Sequence, residues 1–172
     1  MICPRCGNNI TKFNRQCRCG LAFNYDSESD EFRLDIISLK NDSLKELLRN
    51  MAACVENNES FDVYVPQLIY DIKNAILVIG INEKGEEVGI TGCFDDDGNE
   101  FAMLFTSLEE YDKCRGKQIK SDKFTPRGLV FEGVISLLHD NTEGIVIDVG
   151  SEKLELKKDF FKENYGEYMS WE

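Results

Sequence analysis

The strongest constraint on how this chain folds is a set of two close cysteine pairs within its first twenty residues. Cys3 and Cys6 are separated by two residues and Cys17 and Cys19 by one, with ten residues between the pairs. Each pair presents two sulfur atoms to one point, and four thiolates in a tetrahedron are a usual ligand set for structural Zn²⁺. So short a segment cannot bury a core, so metal binding would supply its folding free energy, ~10–16 kcal/mol in small zinc peptides. The spacing predicts a zinc ribbon over residues 1–24, with these four cysteines as the metal ligands.

Two glycines support this prediction, and the second cysteine pair leaves alternatives open. Gly7 and Gly20 each follow the second cysteine of a pair, where we expect the chain to turn back with a positive φ that glycine tolerates. The second pair is shorter than the commoner Cys-x-x-Cys, which leaves room for iron or for a strained fourth ligand. A disulfide is disfavoured because nothing in the chain suggests secretion, and a thioredoxin-like redox site because no βαβ pattern surrounds the first pair.

The charge of the chain is strongly negative but unevenly distributed. The net charge is −12 over 172 residues, yet residues 1–24 hold four basic and no acidic residues, which leaves 16 basic against 32 acidic residues in the remainder. Such an acidic body disfavours binding to nucleic acid and suits a protein partner with a basic surface. No apolar run is long enough to span a bilayer and no signal region precedes Cys3, so a cytoplasmic location without membrane association is expected. The four basic residues of the ribbon are Arg5, Lys12, Arg15 and Arg18.

Hydrophobic periodicity after the ribbon predicts two helices. Residues 25–34 are acidic and lack periodicity, so we interpret them as a linker. A helix is expected to start near residues 41–43, capped by Asp42 or Ser43, and a second one has Pro66 in its first turn. The expected core-facing residues are Leu44, Leu47, Leu48, Met51 and Val55 in the first helix and Tyr64, Leu68 and Ile72 in the second.

The central part of the chain reads as strands joined by tight turns. Residues 75–81, 88–94 and 101–105 predict a three-stranded antiparallel meander, with turns at residues 82–85 and 95–98. Thr106 or Ser107 is expected to cap a helix, followed by helical residues 131–139, strands at 144–148 and 153–156, and a last helix at 159–165. The fold class is therefore α+β: a small zinc ribbon, then an α/β domain over residues 35–172 with a mixed, largely antiparallel sheet flanked by helices.

Two blocks of this body resemble a known family. Both blocks resemble the SseB-like N-terminal domain of bacteria. The first block consists of Asp97-Gly98-Asn99-Glu100-Phe101 and the run 104–111, and the second consists of residues 144–148, Gly150 and residues 154–156. The resemblance covers residues 40–165 and leaves the ribbon outside as an added module. It implies a small α/β domain without an established active site, of a kind found alone, in tandem, and near bacterial toxin and secretion systems.

The remaining candidate sites are weaker. Asp95, Asp96 and Asp97 fail the spacing of a calcium loop and predict a solvated hairpin tip. His139 lacks a catalytic partner motif, and Cys114, beside Lys113 and Arg115, is the only other cysteine placed for reactivity. Cys54, Cys93 and Cys114 are all expected to be buried as small hydrophobic side chains. The aromatic tail residues Tyr165, Tyr168, Met169 and Trp171 fit either an interface or the edge of the core.

Since no catalytic constellation is present, the leading hypothesis is a non-enzymatic zinc-binding protein-interaction module. The alternatives are an immunity-type protein that neutralises a bacterial toxin through its acidic surface, and weak nucleic-acid binding through the basic residues of the ribbon.

Overall fold

The computed structural model describes residues 1–82 and 88–166, and these residues form the mixed α+β fold that the sequence predicts. The elements are β1 (Phe23–Asp26), β2 (Glu31–Leu34), α1 (Asp42–Glu56), α2 (Val65–Asn74), β3 (Ile76–Asn82), β4 (Gly89–Ile90), β5 (Gly92–Phe94), β6 (Glu100–Leu104), α3 (Leu108–Cys114), β7 (Thr125–Val130), α4 (Phe131–Ile135), β8 (Thr142–Ile147), β9 (Leu154–Lys157) and α5 (Lys158–Tyr165). The predicted turn at residues 82–85 falls mostly outside the described residues, as do Tyr168, Met169 and Trp171 of the predicted aromatic tail. No helix in the described part of the chain is long and apolar enough to cross a membrane.

The predicted meander exists, but its middle strand is divided between two sheets. β4 pairs with β3 in a sheet of order β4-β3-β7, whereas β5 pairs with β6 in a sheet of order β5-β6-β8-β9. Thr91, between β4 and β5, joins the sheets: its amide donates to the Gly80 carbonyl and its carbonyl accepts from the Met103 amide, both at 2.9 Å. At the other end Val78 and Phe105 exchange backbone hydrogen bonds of 2.8 and 2.9 Å. The pairing of β3 with β7 and the parallel pairing of β6 with β8 were not predicted.

The central strands β3 and β6 are buried on both faces. One face of β3 carries Leu77, Ile79 and Ile81, which pack in a cluster with residues of α1, α2, α4 and α5. The opposite face carries Ile76 and Val78, which pack in a second cluster that contains Cys3 and Cys17 together with residues of α3. β6 alternates in the same way. The ribbon is thus a layer of the fold that covers one face of the sheet.

The prediction that residues 25–34 form a linker is wrong. They complete an antiparallel hairpin in which Phe23 pairs with Leu34 and Asp26 pairs with Glu31. The Tyr25 and Phe32 rings pack with their centroids 5.0 Å apart. Each strand is only four residues long and the acidic residues crowd the turn, so the alternation that marks a strand was too short to stand out.

The helices follow the hydrophobic pattern, with local corrections. Leu44, Leu47, Leu48 and Met51 of α1 are buried as predicted, but Val55 is 61% exposed because the last turn of the helix extends beyond the core. The predicted caps of α1 are wrong, since the N-cap residue is Asn41 and its side chain makes no capping bond.

The other predicted helices fit more closely. Pro66 lies in the first turn of α2, and the Ser107 hydroxyl accepts from the Glu110 amide to cap α3. Helix α4 ends at Ile135, four residues before the predicted end, although Leu138 is still buried against the core.

Candidate metal centre

The structure brings together the four cysteines that the sequence selects. The Sγ atoms of Cys3 and Cys19 lie 3.6 Å apart and those of Cys6 and Cys17 lie 3.2 Å apart, and all four lie within 4.8 Å of one another. With Zn–S bonds of about 2.3 Å, the edge of a tetrahedral site measures about 3.8 Å, slightly longer than the separations within these two pairs and below the limit that holds for all four atoms. Among the described residues this is the one group of Cys, His, Asp or Glu side chains close enough to hold a metal ion. The four thiols could therefore hold one.

Two similar backbone turns position the sulfur atoms. In the first, the Cys3 carbonyl accepts from the Gly7 amide at 2.9 Å, and in the second the Cys17 carbonyl accepts from the Gly20 amide at 2.9 Å. Gly7 has a φ of 72° and Gly20 a φ of 91°, so both glycines turn the chain back as expected. The hydrogen bond that closes the second turn spans one residue fewer than the bond that closes the first. The Cys-x-Cys pair can therefore direct both of its sulfur atoms to one point, as the longer Cys-x-x-Cys pair does.

Backbone N–H groups that point at the sulfur atoms lower the pKa values of the thiols, whereas burial raises them. The amide of Cys19 lowers the pKa of the Cys17 thiol to about 6, whereas burial raises the pKa of Cys3 and raises that of Cys19 to about 12. The side-chain amide of Asn8 donates to the Cys6 sulfur at 3.2 Å. A metal ion would favour the ionised form of the thiols that bind it, because the ligand of the metal is the thiolate.

The burial of the four cysteines is uneven. Cys3 and Cys17 are only 1% and 5% exposed and belong to the core beneath the sheet, Cys19 is half-buried, and Cys6 is exposed. An ion at this centre would therefore touch the hydrophobic core on one side and lie near solvent at Cys6 on the other.

The first cysteine turn is also attached to the body of the protein. Arg5, between Cys3 and Cys6, donates to Asn41 Oδ1 at 3.2 Å. The Nδ2 group of Asn41 donates in turn to the carbonyls of Ile76 and Thr106, each at 2.7 Å. Sequence reasoning missed Asn41, since it assigned the cap of α1 to Asp42 or Ser43 and had no signal for partners of Asn41 that lie far along the chain.

The tip of the ribbon presents an aromatic side chain to solvent. Phe13 lies in the turn between Thr11 and Asn14 and is 100% exposed. Beside it, Lys12 forms an ion pair of 2.7 Å with Asp30 of the β1–β2 turn and lies 4.8 Å from the centre of the Tyr25 ring. Three of the four basic residues of the ribbon thus have partners within the chain. Besides Arg5 and Lys12, Arg15 donates from Nε to the Lys12 carbonyl at 3.4 Å.

A second polar cluster, which sequence reasoning did not find, lies at the carboxyl ends of the parallel strands β6 and β8. Glu110, 1% exposed, accepts from Lys45, from Lys113 at 2.8 Å and from Ser151 at 2.8 Å. Burial would raise the pKa of Glu110, but these donors outweigh it and lower the pKa to about 2.

Asp148 lies in the same cluster and behaves in the opposite way. It has a φ of 49° and accepts from the amide and hydroxyl of Thr106 at 2.8 and 2.6 Å. Burial nevertheless raises its pKa to about 6. The two carboxyl groups therefore titrate in separate pH ranges.

The remaining predicted sites stay apart from the metal centre. Asp95 Oδ1 accepts from the amides of Asp97 and Asn99 at 3.0 and 2.8 Å, which confirms the hairpin tip. His139 is exposed. Cys114 is fully buried, and burial raises its pKa, which opposes reactivity. Cys54 and Cys93, expected to be buried, are half-buried.

No protein-family model matches the chain, and no curated protein or solved structure is significantly similar to it. The resemblance to the SseB-like N-terminal domain stays a prediction, and the function has to be argued from the residues themselves.

Proposed function

We propose that this protein is a non-enzymatic, protein-binding member of the SseB-like group, in which one structural Zn²⁺ ion holds the ribbon and presents Phe13 to a partner. The observation that carries the proposal is a fully exposed phenylalanine at the tip of a hairpin whose base is the four-cysteine cluster. Aromatic side chains are enriched in protein interfaces, where a few of them supply much of the binding free energy.

Zinc is proposed because of the donor set and its closure. Thiolates select soft or borderline ions such as zinc and iron, and zinc accepts four sulfur ligands in a tetrahedron without redox chemistry. Four cysteines at one centre leave no open position for a substrate, which supports a structural role. The residues that would hold the ion are Cys3, Cys6, Cys17 and Cys19.

A protein partner is favoured over nucleic acid by the charges near Phe13. The acidic turn that joins β1 to β2 lies beside the ribbon tip, where Asp30 already neutralises Lys12. Phosphate groups that approach the basic side chains would also approach this carboxylate, which repels them. A protein with an apolar pocket and a basic rim would instead complement both Phe13 and the acidic turn. A protein with this surface would act in the cytoplasm, where its thiols stay reduced for metal binding.

The test is an affinity capture with matched surface variants. Tagged wild-type protein, Phe13→Ser and Ile37→Ser would be exposed to native lysate of the source organism at physiological salt, and captured proteins quantified by mass spectrometry. Ile37 is a suitable control because it is 81% exposed and lies outside the ribbon. Wild type and Ile37→Ser should capture the same partner, and Phe13→Ser should lose it by tenfold or more, about the loss of one hot-spot residue. Equal capture by all three, or nuclease-sensitive capture, would contradict the proposal.

A further inference from the structure

One polar contact between the ribbon and the body of the protein comes from a side chain that lies within a cysteine turn. Arg5 is half-buried, and its guanidinium donates to Asn41 Oδ1 at 3.2 Å. Because Cys3 and Cys6 flank it in the chain, the position of Arg5 depends on how their two sulfur atoms are held. Arg18 has the corresponding place between Cys17 and Cys19, but it is exposed.

Asn41 joins the two sheets where their backbone pairing stops. Val78 of β3 pairs with Phe105, the residue directly after β6. Beyond this pair, Asn41 Nδ2 bridges the carbonyls of Ile76 and Thr106 at 2.7 Å each. Both N–H groups of the amide are used by these carbonyls, and its oxygen by Arg5. Arg5 therefore completes the hydrogen bonding of the residue that closes this junction.

The network continues from the junction to the polar cluster. Thr106 donates its amide and its hydroxyl to Asp148 at 2.8 and 2.6 Å. A cavity of about 240 Å³, lined by Asn41, Lys45, Thr106 and Ser107 among others, opens beside it. A continuous set of hydrogen bonds thus runs from the first cysteine turn to the carboxyl ends of β6 and β8.

We infer that Arg5 and Asn41 couple metal occupancy of the four-cysteine centre to closure of the junction between β3 and β6. The inference rests on the proposed function in one respect, that the centre binds a metal ion. With the ion bound, the first turn holds Arg5 against Asn41 and the junction is closed. Without it the turn loosens, Arg5 leaves Asn41 Oδ1, and the bridge between the two strands weakens. Coupling of this kind is reciprocal, so a residue that transmits it also strengthens metal binding.

The test compares the wild type with variants of the two arginines that lie inside cysteine turns. Amide hydrogen exchange of Val78 and Phe105 reports the junction directly, because each amide bonds to the other strand. In the wild type, removal of metal with a strong chelator should accelerate both amides by about tenfold or more, the effect of losing a charge-assisted hydrogen bond. In Arg5→Ala the metal-loaded protein should already exchange faster, and chelation should add less than about threefold. Arg18→Ala should respond as the wild type does.

Metal affinity, measured with zinc and a chromophoric competitor chelator, is the second readout. Arg5→Ala should bind zinc more weakly by about the factor that it removes from the exchange response, while Arg18→Ala should match the wild type. Arg5→Lys, which keeps the charge but loses the guanidinium geometry, provides an intermediate case should the alanine variant fail to fold.

The outcomes separate the two proposals. A protein that binds no metal rejects the proposed function together with this inference. Stoichiometric metal with an unchanged chelation response in Arg5→Ala overturns this inference alone, and would assign any coupling to the packing of Cys3 and Cys17 in the core. Zinc affinity that is unchanged in Arg5→Ala would also overturn it, even if the exchange rates change as predicted, because coupling of this kind is reciprocal.

Discussion

Replacement of Asn41 by alanine should destabilise the fold strongly, although Asn41 lies just before the first residue of α1 and its side chain does not cap the helix. The substitution leaves the carbonyls of Ile76 and Thr106 without their side-chain donor, and removes the acceptor of Arg5. A buried polar group left unpaired costs about 1–3 kcal/mol, so two carbonyls together cost roughly 2–6 kcal/mol of the free energy of unfolding. For a chain of this size that is a decrease in Tm of roughly 4–24 °C.

Asn41→Asp separates this role from helix capping. Aspartate is at least as good an N-cap residue as asparagine and keeps an acceptor for Arg5, but it cannot donate to the two carbonyls. Since the Asn41 side chain makes no capping bond, we expect Asn41→Asp to be at least as destabilised as Asn41→Ala. Urea unfolding followed by circular dichroism at pH 7, with the metal-loaded protein, would measure both variants. Stability of Asn41→Asp within about 0.5 kcal/mol of the wild type would refute the reasoning, because it would show that the carbonyl bridge contributes little.

Three further predictions concern the polar cluster and the sheet. Burial raises the pKa of Asp148 to about 6, so the folded chain holds this proton more tightly than the unfolded chain does. About 3 kcal/mol of the free energy of unfolding should therefore be lost as the pH rises from 4 to above 6. Asp148→Asn should remove that loss in thermal unfolding measured over the same pH range. Glu110 has the opposite sign: its pKa of about 2 contributes about 3 kcal/mol above pH 4.5 that disappears as pH falls towards 2, and Glu110→Gln should flatten this acid limb, whereas an unchanged limb would contradict the account. Gly144→Ala places a Cβ 2.3 Å from the Leu156 carbonyl oxygen and should lower stability by about 2 kcal/mol or more in urea unfolding, whereas Gly133→Ala, whose nearest neighbours lie at 3.8 Å, should be neutral or stabilising; equal effects would contradict the packing of β8 on β9.

Local features of the fold could be predicted from the sequence because their physical causes are local. The spacing of the four cysteines and of the glycines that follow two of them predicts the candidate metal centre, and the structure places the four cysteines together. The apolar stripe of α1 and the cap of α3 at Ser107 also follow from residues within one or two turns. In each case the residues that determine the feature are neighbours in the chain.

Features that depend on distant partners were missed. The residue type of Thr91 does not reveal that the strand divides there between two sheets, and β6 pairs in parallel with β8, about forty residues further along the chain. From the sequence, Glu110 is an acidic residue in the first turn of a helix, where the helix dipole favours a negative charge. Only the positions of Lys45 and Ser151 in the structure show that Glu110 is buried and paired with partners from distant parts of the chain.

One overlooked signal did indicate that the ribbon covers the sheet. Residues 76–79 and 101–105 are continuous apolar runs, and such strands are buried on both faces. Helices α1, α2, α4 and α5 contribute to the cluster on one face, so another layer is needed for the second face. The apolar residues Ile10, Leu21 and Phe23, which a free-standing ribbon would expose, pack in the cluster on that second face.

We propose that one metal ion binds to Cys3, Cys6, Cys17 and Cys19. Elemental analysis of the protein purified without chelator, combined with mass-spectrometric mapping of thiol alkylation before and after chelation, would detect this ion and identify its ligands. We expect one zinc ion per chain and four N-terminal cysteines that become reactive together only when the zinc is removed. A metal-free protein that takes up no zinc on titration, or N-terminal thiols that react freely from the start, would contradict it.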